Sequence, residues 1–134
     1  ARYADDRQRQ GPALRTLFDE SDLLLAMPDK LVYSPQNMPN ILLAAYRQRI
    51  PLVSYSAAHV RAGALLALHT APADTATQIA LAVHQWLSSR KLPAPTWAEA
   101  YSVAVNDQVA RSLGLSLPTP AALALALKSR GVNP

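Results

Sequence analysis

The chain has 134 residues, of which half are hydrophobic and 16% are charged, so it predicts a single domain with a real core. It contains no cysteine, which excludes disulfides and cysteine-based metal sites, and no apolar run is long enough for a transmembrane helix. The formal net charge is +4, but the basic residues are scattered and lack interleaved aromatic residues, so we predict no nucleic-acid partner. The first six residues have no apolar segment, so no signal peptide is predicted within the chain.

The first strand signal is an unbroken apolar run within residues 22–27. Four or five apolar residues without a polar break are typical of a strand that is buried on both faces. Pro28 then stops ladder hydrogen bonding, and Asp29 follows at the carboxyl end of the strand. Ligands of open α/β sheets bind at that edge, so Asp29 either meets a cationic ligand group or caps a turn, and its position alone does not choose between them.

Helical and strand patterns alternate along the chain, which predicts an α/β fold with one mainly parallel sheet. Strands are predicted at residues 22–27, 51–55, 64–69 and about 99–105. Helices are predicted at about residues 14–19, 37–49, 56–61, 74–90, 106–113 and 119–130. Residues 1–10 are predicted to be a loose arm or the start of a helix, and Gly11-Pro12 is a predicted break before the first apolar helical spacing. Near the end of the chain, Asn106 and Thr119 are predicted N-caps, and Pro120 suits the first helical position.

The longest predicted helix, at about residues 74–90, opens at Asp74 or Thr75 and carries an apolar stripe. Glutamine and serine residues occupy its other side, as expected for a helix that packs on one side only. The predicted buried face consists of Ile79, Val83, Trp86 and Leu87.

The chain lacks the motifs that bind phosphates or form a nucleophile elbow, since it has no G-x-G-x-x-G, no P-loop and no G-x-S-x-G. Its three histidines lack metal-site spacing, although His59 lies near a strand end and could line a pocket. The acidic group Asp19, Glu20 and Asp22 could imitate a metal pocket, but polar residues at a helix–strand turn explain it more simply. We therefore predict no cofactor, no metal and no enzymatic activity.

Four stretches together resemble one family. Residues 22–34 resemble its D-x-l-l-x-x-x-D-x-x-v-x-s segment, and residues 49–53 resemble its k-I-P-v strand. Residues 60–64 resemble its v-x-x-G-A turn, and residues 105–118 resemble its closing v-N-x-x-x-A-x-x-l-G-i-x-l-P signature. In order and spacing these motifs resemble the ABC-transporter substrate-binding proteins of the tryptophan/tyrosine-type group, from about residue 14 to residue 130.

The resemblance implies a type I periplasmic-binding fold, in which a three-layer, flavodoxin-like lobe belongs to a two-lobed protein that feeds a membrane permease. Such proteins bind aromatic or other small amino-acid-like molecules, and the implied location is periplasmic or extracytoplasmic. The chain has about half the family's length. Residues 1–134 resemble most of the C-terminal lobe as one domain, with residues 74–92 resembling the helix that returns to the first lobe.

The same resemblance places five residues at the ligand cleft. Asp29 would face a ligand amino group, and the residues lining the cleft beside it would be Ser34, Ser54, Ser56 and Gly63. The general rule that α/β ligands bind at strand carboxyl ends leads to the same edge independently.

Two other functions stay open from the sequence. The chain could be a sensory or protein-interaction domain that keeps the fold without transport. It could also be a small hydrolase or metal enzyme with an acidic pocket formed by Asp19, Glu20, Asp22 and Asp29. Because the apolar stripe of the long helix would lack its packing lobe, we also expect the isolated chain to self-associate as a homodimer.

Overall fold

The computed structural model describes residues 7–95 and 100–129, with only the backbone of residues 7–10, and there the chain forms a four-stranded sheet flanked by helices. The strands lie side by side in chain order. The first three run parallel, and the fourth runs antiparallel to the third. The predicted fold class, α/β with a mainly parallel sheet, is therefore confirmed, as is the parallel pairing of the first two strands.

The strands are shorter than the sequence patterns predicted, whereas most helices lie close to their predicted positions. β1 covers Leu24–Leu25, β2 Leu52–Ser54, β3 Leu66–His69 and β4 Ser102–Val105. α1 covers Arg7–Asp19, α2 Met38–Arg47, α3 Ala57–Ala62, α4 Pro72–Ser89, α5 Asp107–Ser112 and α6 Pro120–Ser129. Among the helices of the described ranges, none combines the length and the apolar character that crossing a bilayer requires.

One face of the sheet is covered by α2 and α3 and forms the core. The alternation of side chains along the strands puts Leu24, Leu52 and Ala67 on this face, where all three are buried. Val60 of α3 and Phe18 of α1 join the same cluster. The apolar stripe of α2 supplies the rest of the core, with Met38, Ile41, Leu42 and Ala45.

The opposite face of the sheet is open at β1. Leu25 and Met27, which alternate with buried positions, are 57% and 62% exposed. Their neighbours across the sheet, Val53 and Leu66, are half-buried. The prediction that the strand at residues 22–27 is buried on both faces was therefore wrong. Its sequence supplies two apolar faces, but at β1 the helices of the described ranges cover only one of them.

α4 stands apart from the core. It was predicted to bury an apolar stripe, but no residue of α4 is buried. Ile79 and Leu87 are 59% and 57% exposed, and Val83 and Trp86 are exposed as well. The predicted buried face is therefore wrong for this chain, because no element of the described ranges packs closely enough on the stripe to bury it.

The predicted caps of the last two helices are confirmed. Asn106 Oδ1 accepts hydrogen bonds from the backbone N–H groups of Gln108 and Val109, both at 3.1 Å. Thr119 Oγ1 accepts one from the N–H of Ala122 at 3.2 Å. These ends follow from local side-chain chemistry, which satisfies backbone donors that a helix leaves without partners.

One helix runs through a predicted break, and another begins before its predicted cap. α1 begins at Arg7 and runs through Gly11-Pro12. Pro12 has no N–H, so this costs the helix one backbone hydrogen bond near its start. α4 begins at Pro72 instead of Asp74, because the fixed φ of proline suits the first turn of a helix.

Candidate functional site

The carboxyl ends of β1 and β2 lie side by side, and the loop after β1 is organised by Asp29. Its Oδ1 accepts hydrogen bonds from the backbone N–H groups of Leu31 at 2.8 Å and Val32 at 2.9 Å. Its backbone oxygen accepts another from the N–H of Tyr33 at 3.0 Å. The exposed side chain therefore caps this turn. Among the described residues no donor binds Oδ2, so the cap leaves one carboxylate oxygen for another partner.

After β2, a buried serine anchors a histidine. Ser54 is only 3% exposed, and its Oγ lies 2.6 Å from Nδ1 of His59 in the first turn of α3. Ser54 also pairs with Ala67 in the sheet, which fixes its position. The hydrogen bond is short, so the imidazole ring is tied to the sheet and is not free to rotate.

Two tyrosines link Asp29 to His59 along this edge. The ring centroids of Tyr33 and Tyr55 are 6.4 Å apart and the planes cross at 76°. The centroids of Tyr55 and His59 are 5.1 Å apart and the planes cross at 80°. Edge-to-face contacts of this kind are favourable for aromatic rings. We call the contiguous set Asp29, Tyr33, Tyr55, His59 and Ser54 the edge row.

Burial shifts two pKa values in the edge row. It raises the pKa of Tyr33, with a further contribution from Tyr55 and Asp29 nearby, so the Tyr33 hydroxyl stays protonated at neutral pH. It lowers the pKa of His59 below the ordinary 6.5, so the ring is neutral at pH 7 and above. The formal charge of the row is then that of the Asp29 carboxylate.

Ser34 and Ser56 lie at the same edge as the row, each at the start of a helix or turn. Ser56 Oγ accepts a hydrogen bond from the N–H of Ala58 at 3.2 Å and caps α3. Ser34 Oγ accepts one from the N–H of Asn37 at 3.3 Å, just before α2. Both hydroxyls still have a hydrogen to donate, so both keep the capacity to bind a ligand acceptor.

Gly63 lies at the opposite end of the sheet from the edge row, beside the amino ends of the parallel strands. It ends α3 with a φ of 125°, a conformation that favours glycine, and the chain turns there toward β3. It borders a small hollow lined by residues of α2, β2 and α5. α3 runs back across the sheet between Ser56 and Gly63, so the structure does not bring Gly63 to the other four predicted site residues.

A second, more open hollow also lies at that opposite end. It is open to solvent and is bordered by Arg61, Asn106 and Arg111. Neither of these hollows is bordered by the edge row, which forms an open surface in this chain.

The described side chains of the edge row do not complete a catalytic set. Ser54 stands beside a base, but it is buried and has no room for a substrate. Within the described residues no carboxylate hydrogen-bonds to His59, so the third member of a nucleophile–base–orienter set is missing there. In the same ranges no three histidine or acidic side chains come together as metal ligands, and this includes Asp19, Glu20 and Asp22.

Sequence reasoning missed both tyrosines of the edge row and gave His59 only a general pocket role. A signal was present, because each strand-end loop contains a tyrosine next to serine, as Tyr33-Ser34 and Ser54-Tyr55-Ser56. Aromatic rings beside a few polar groups are typical of small-molecule sites. That the two loops meet depends on the pairing of β1 with β2, which only the structure supplies.

Three solved structures resemble this chain. One is CD0873 from Clostridium difficile, a substrate-binding protein with adhesive properties in its ligand-free, open structure, with a TM-score of 0.66 and 20% identity over 84% of this chain and 38% of that chain. Another is the ABC domain in complex with L-Trp from Streptococcus pneumonia, with a TM-score of 0.58 and 18% identity over 80% of this chain and 37% of that chain. A conserved domain protein from Vibrio cholerae O1 biovar El Tor gives a TM-score of 0.59 and 24% identity over 84% of this chain and 38% of that chain.

These likenesses, all below 25% identity, establish the fold. No protein-family model matches the chain, and no curated protein does. The chain spans 37–38% of the length of the solved structures that it matches. It therefore has the α/β fold of a part of these proteins, two of which are described as binding a substrate or holding L-Trp.

Proposed function

We propose that the chain is the ligand-contacting lobe of a solute-binding protein, and that its edge row binds a small amino-acid-like ligand. The observation that carries the proposal is the fold likeness to two binding proteins, one of them solved with L-Trp. The location of the row supports it, because ligands of open α/β sheets bind outside the carboxyl ends of the strands. The proposed activity is binding, because the likeness is to proteins described as binding a substrate or solved with L-Trp.

Asp29 is the proposed partner of the ligand ammonium group. Its Oδ1 is used by the turn, which holds the carboxylate in one orientation. Its second oxygen has no donor among the described residues, and the side chain is exposed at the edge where Tyr33 begins the aromatic contacts. A charge-assisted hydrogen bond to an ammonium contributes about 1.5–3 kcal/mol.

Calorimetric titration of the full-length protein with amino acids tests this role of Asp29. The substitution Asp29→Asn keeps an oxygen that can cap the turn and removes the charge. We expect it to weaken an amine-bearing ligand about tenfold or more, since 1.4 kcal/mol is a factor of ten. Affinity that stays unchanged would reduce Asp29 to a turn residue.

Asp29→Ala is the matched control, because it removes both the charge and the cap. We expect it to lower the free energy of unfolding by about 1 kcal/mol, while Asp29→Asn changes stability little. If Asn lowers the melting temperature without ligand as much as Ala does, the acid is structural and its role in binding is contradicted.

The wider proposal is that the chain belongs to the uptake system that the sequence resemblance implies. There it would be the C-terminal lobe of a two-lobed, extracytoplasmic protein that delivers its ligand to a membrane permease, with residues 74–92 returning to the first lobe. The exposed apolar stripe of α4 supports a contact with a first lobe, because a contiguous exposed apolar surface is typical of an interaction site. Uptake of a labelled ligand should be lost when the full-length gene is deleted, and unchanged uptake would contradict the transport role.

We also propose that the 134-residue chain alone forms a homodimer. The stripe Ile79, Val83, Trp86 and Leu87 is exposed, and residues 75–89 contain no Asp, Glu, Lys or Arg. Without charges, this surface has little to oppose its contact with a second copy.

A further inference from the structure

We propose that His59 is a second ligand-binding residue of the edge row, whose Nε2–H donates a hydrogen bond to an anionic oxygen such as a ligand carboxylate. The proposal rests on the solute-binding function proposed above and extends it. Asp29 would take the cationic end of a zwitterion, and His59 would take the anionic end.

The contact with Ser54 determines which ring nitrogen of His59 carries the proton. The hydroxyl of Ser54 is buried, and a buried hydroxyl hydrogen needs an acceptor. Among the described residues, the acceptor within reach is Nδ1 of His59, at 2.6 Å. Ser54 therefore donates to Nδ1, and a neutral ring then carries its proton on Nε2.

The Nε2–H group is placed where a ligand can reach it. The two ring nitrogens lie on different edges of the imidazole, so Nε2 points away from buried Ser54. His59 is only partly buried, and no residue of the described ranges accepts a hydrogen bond from Nε2. Burial lowers the pKa of His59, so the ring offers one defined N–H at neutral pH.

Among the described residues, no acidic side chain is seen in contact with His59, so none competes there with a ligand carboxylate. Tyr55 packs edge-to-face against the ring, and Asp29 lies beyond Tyr33 at the far end of the edge row. Arg61 follows on α3, and His69 lies at the end of β3 on the same face of the sheet as Ser54. A carboxylate bound at Nε2 would place a negative charge beside the ring, and it should raise the pKa of His59.

The first test needs no ligand. Long-range proton–nitrogen NMR spectra of the histidine-labelled chain at pH 7.5 should show the His59 proton on Nε2 and none on Nδ1. The substitution Ser54→Ala should remove this preference, whereas exposed His84 should behave alike in both chains. A proton on Nδ1 of His59 in the unsubstituted chain would overturn the proposal.

The second test titrates the same chain with sodium propionate, a carboxylate that carries no amino group. The His59 Nε2–H resonance should shift and the pKa of His59 should rise, while His84 stays unchanged. Equal responses at both histidines mean unspecific binding and overturn the proposal, as does no response. This result stands apart from the solute-binding function, which fails if no amino acid binds the full-length protein.

The third test compares two substitutions in the full-length protein, using whichever amino acid binds and its primary amide. His59→Asn can still bond Ser54 but lacks the Nε2–H, so it should weaken the amino acid about tenfold and the amide about twofold or less. His59→Gln places an amide N–H near the Nε2 position and should recover part of the affinity. His84→Asn is the matched control and should change nothing. Equal losses for the acid and the amide would overturn the carboxylate role.

Discussion

The two faces of the sheet differ sharply, although their sequences look alike. Leu24 and Leu25 are adjacent and chemically identical, yet one is buried in the core and the other is 57% exposed. The difference comes from the helices, because α2 and α3 cover the face to which Leu24 belongs. Hydrophobicity alone therefore does not determine whether a residue is buried. The helices that pack on its face of the sheet determine it.

The same contrast separates α2 from α4. Both carry apolar residues at helical spacing, and both follow a parallel strand or its loop. The stripe of α2 is buried against the sheet, whereas no residue of α4 is buried. The elements of the described ranges therefore leave a large part of the chain's apolar surface uncovered.

Substitution of the two adjacent leucines tests whether the two faces of β1 are covered unequally in solution. Leu24→Ala should lower the free energy of unfolding by about 2–4 kcal/mol, because it leaves a cavity in the core. Leu25→Ala should change it by no more than about 0.5 kcal/mol, since the side chain is mostly in water. Urea denaturation measures both. Equal losses would mean that another surface covers the open face in solution.

Asn106 connects α3 and α5 through its side chain. Its Nδ2 donates to the backbone oxygen of Val60 at 2.9 Å, while its Oδ1 caps α5. Asn106→Ala should cost about 2–3 kcal/mol, whereas Thr119→Ala, which removes a simple cap, should cost about 1 kcal/mol.

Asn106→Ser separates the two contributions of that side chain. Serine keeps an oxygen that can cap α5 but is too short to donate to the backbone oxygen of Val60, so its cost should lie between that of Thr119→Ala and that of Asn106→Ala. Chemical denaturation of the three variants gives the order, and a loss for Ser equal to the loss for Ala would show that the cap contributes little.

The exposed apolar stripe of α4 is the proposed homodimer interface, and a charge placed in it tests this role. Val83→Glu should weaken the proposed homodimer at least tenfold, because a carboxylate would have to leave water at the interface. Leu81→Glu is the matched control, since Leu81 is 66% exposed on the opposite side of the same helix. Sedimentation velocity at several concentrations measures the dissociation constant. A monomer at high concentration in the unsubstituted chain would refute the homodimer.

His59 should make the free energy of unfolding depend weakly on pH. Burial lowers the pKa of His59, so below the ordinary value of 6.5 the unfolded chain binds more protons at this residue than the folded chain. The free energy of unfolding should therefore fall as the pH drops from 7 through the lowered pKa. His59→Gln should reduce this slope and His84→Gln should not, in urea denaturation across that range.

Much of the fold follows from local signals in the sequence. Alternating apolar runs and stripes indicate the parallel α/β order, and side chains such as Asn106 and Thr119 cap helices through contacts two or three residues away. Which face of β1 would be covered was not predictable, because coverage depends on elements distant in the sequence.

The candidate site was predictable only in part, for the same reason. Strand ends indicated the edge on which Asp29 and Ser54 lie. The contact between Tyr33 and Tyr55 requires the pairing of β1 with β2, which no short spacing encodes. The family resemblance placed Gly63 at that edge, but α3 carries the chain from Ser56 to the other end of the sheet before Gly63 is reached.

The antiparallel pairing of β3 with β4 has a mechanical consequence. His69 and Ser102 lie opposite each other in that ladder, so the chain leaves the sheet toward α4 and re-enters it at adjacent points. The chain between residues 70 and 101 is thus one excursion, and both of its ends are held by the same two-stranded ladder. For the same reason, replacing the excursion with a short hairpin turn would leave the strand order of the sheet unchanged.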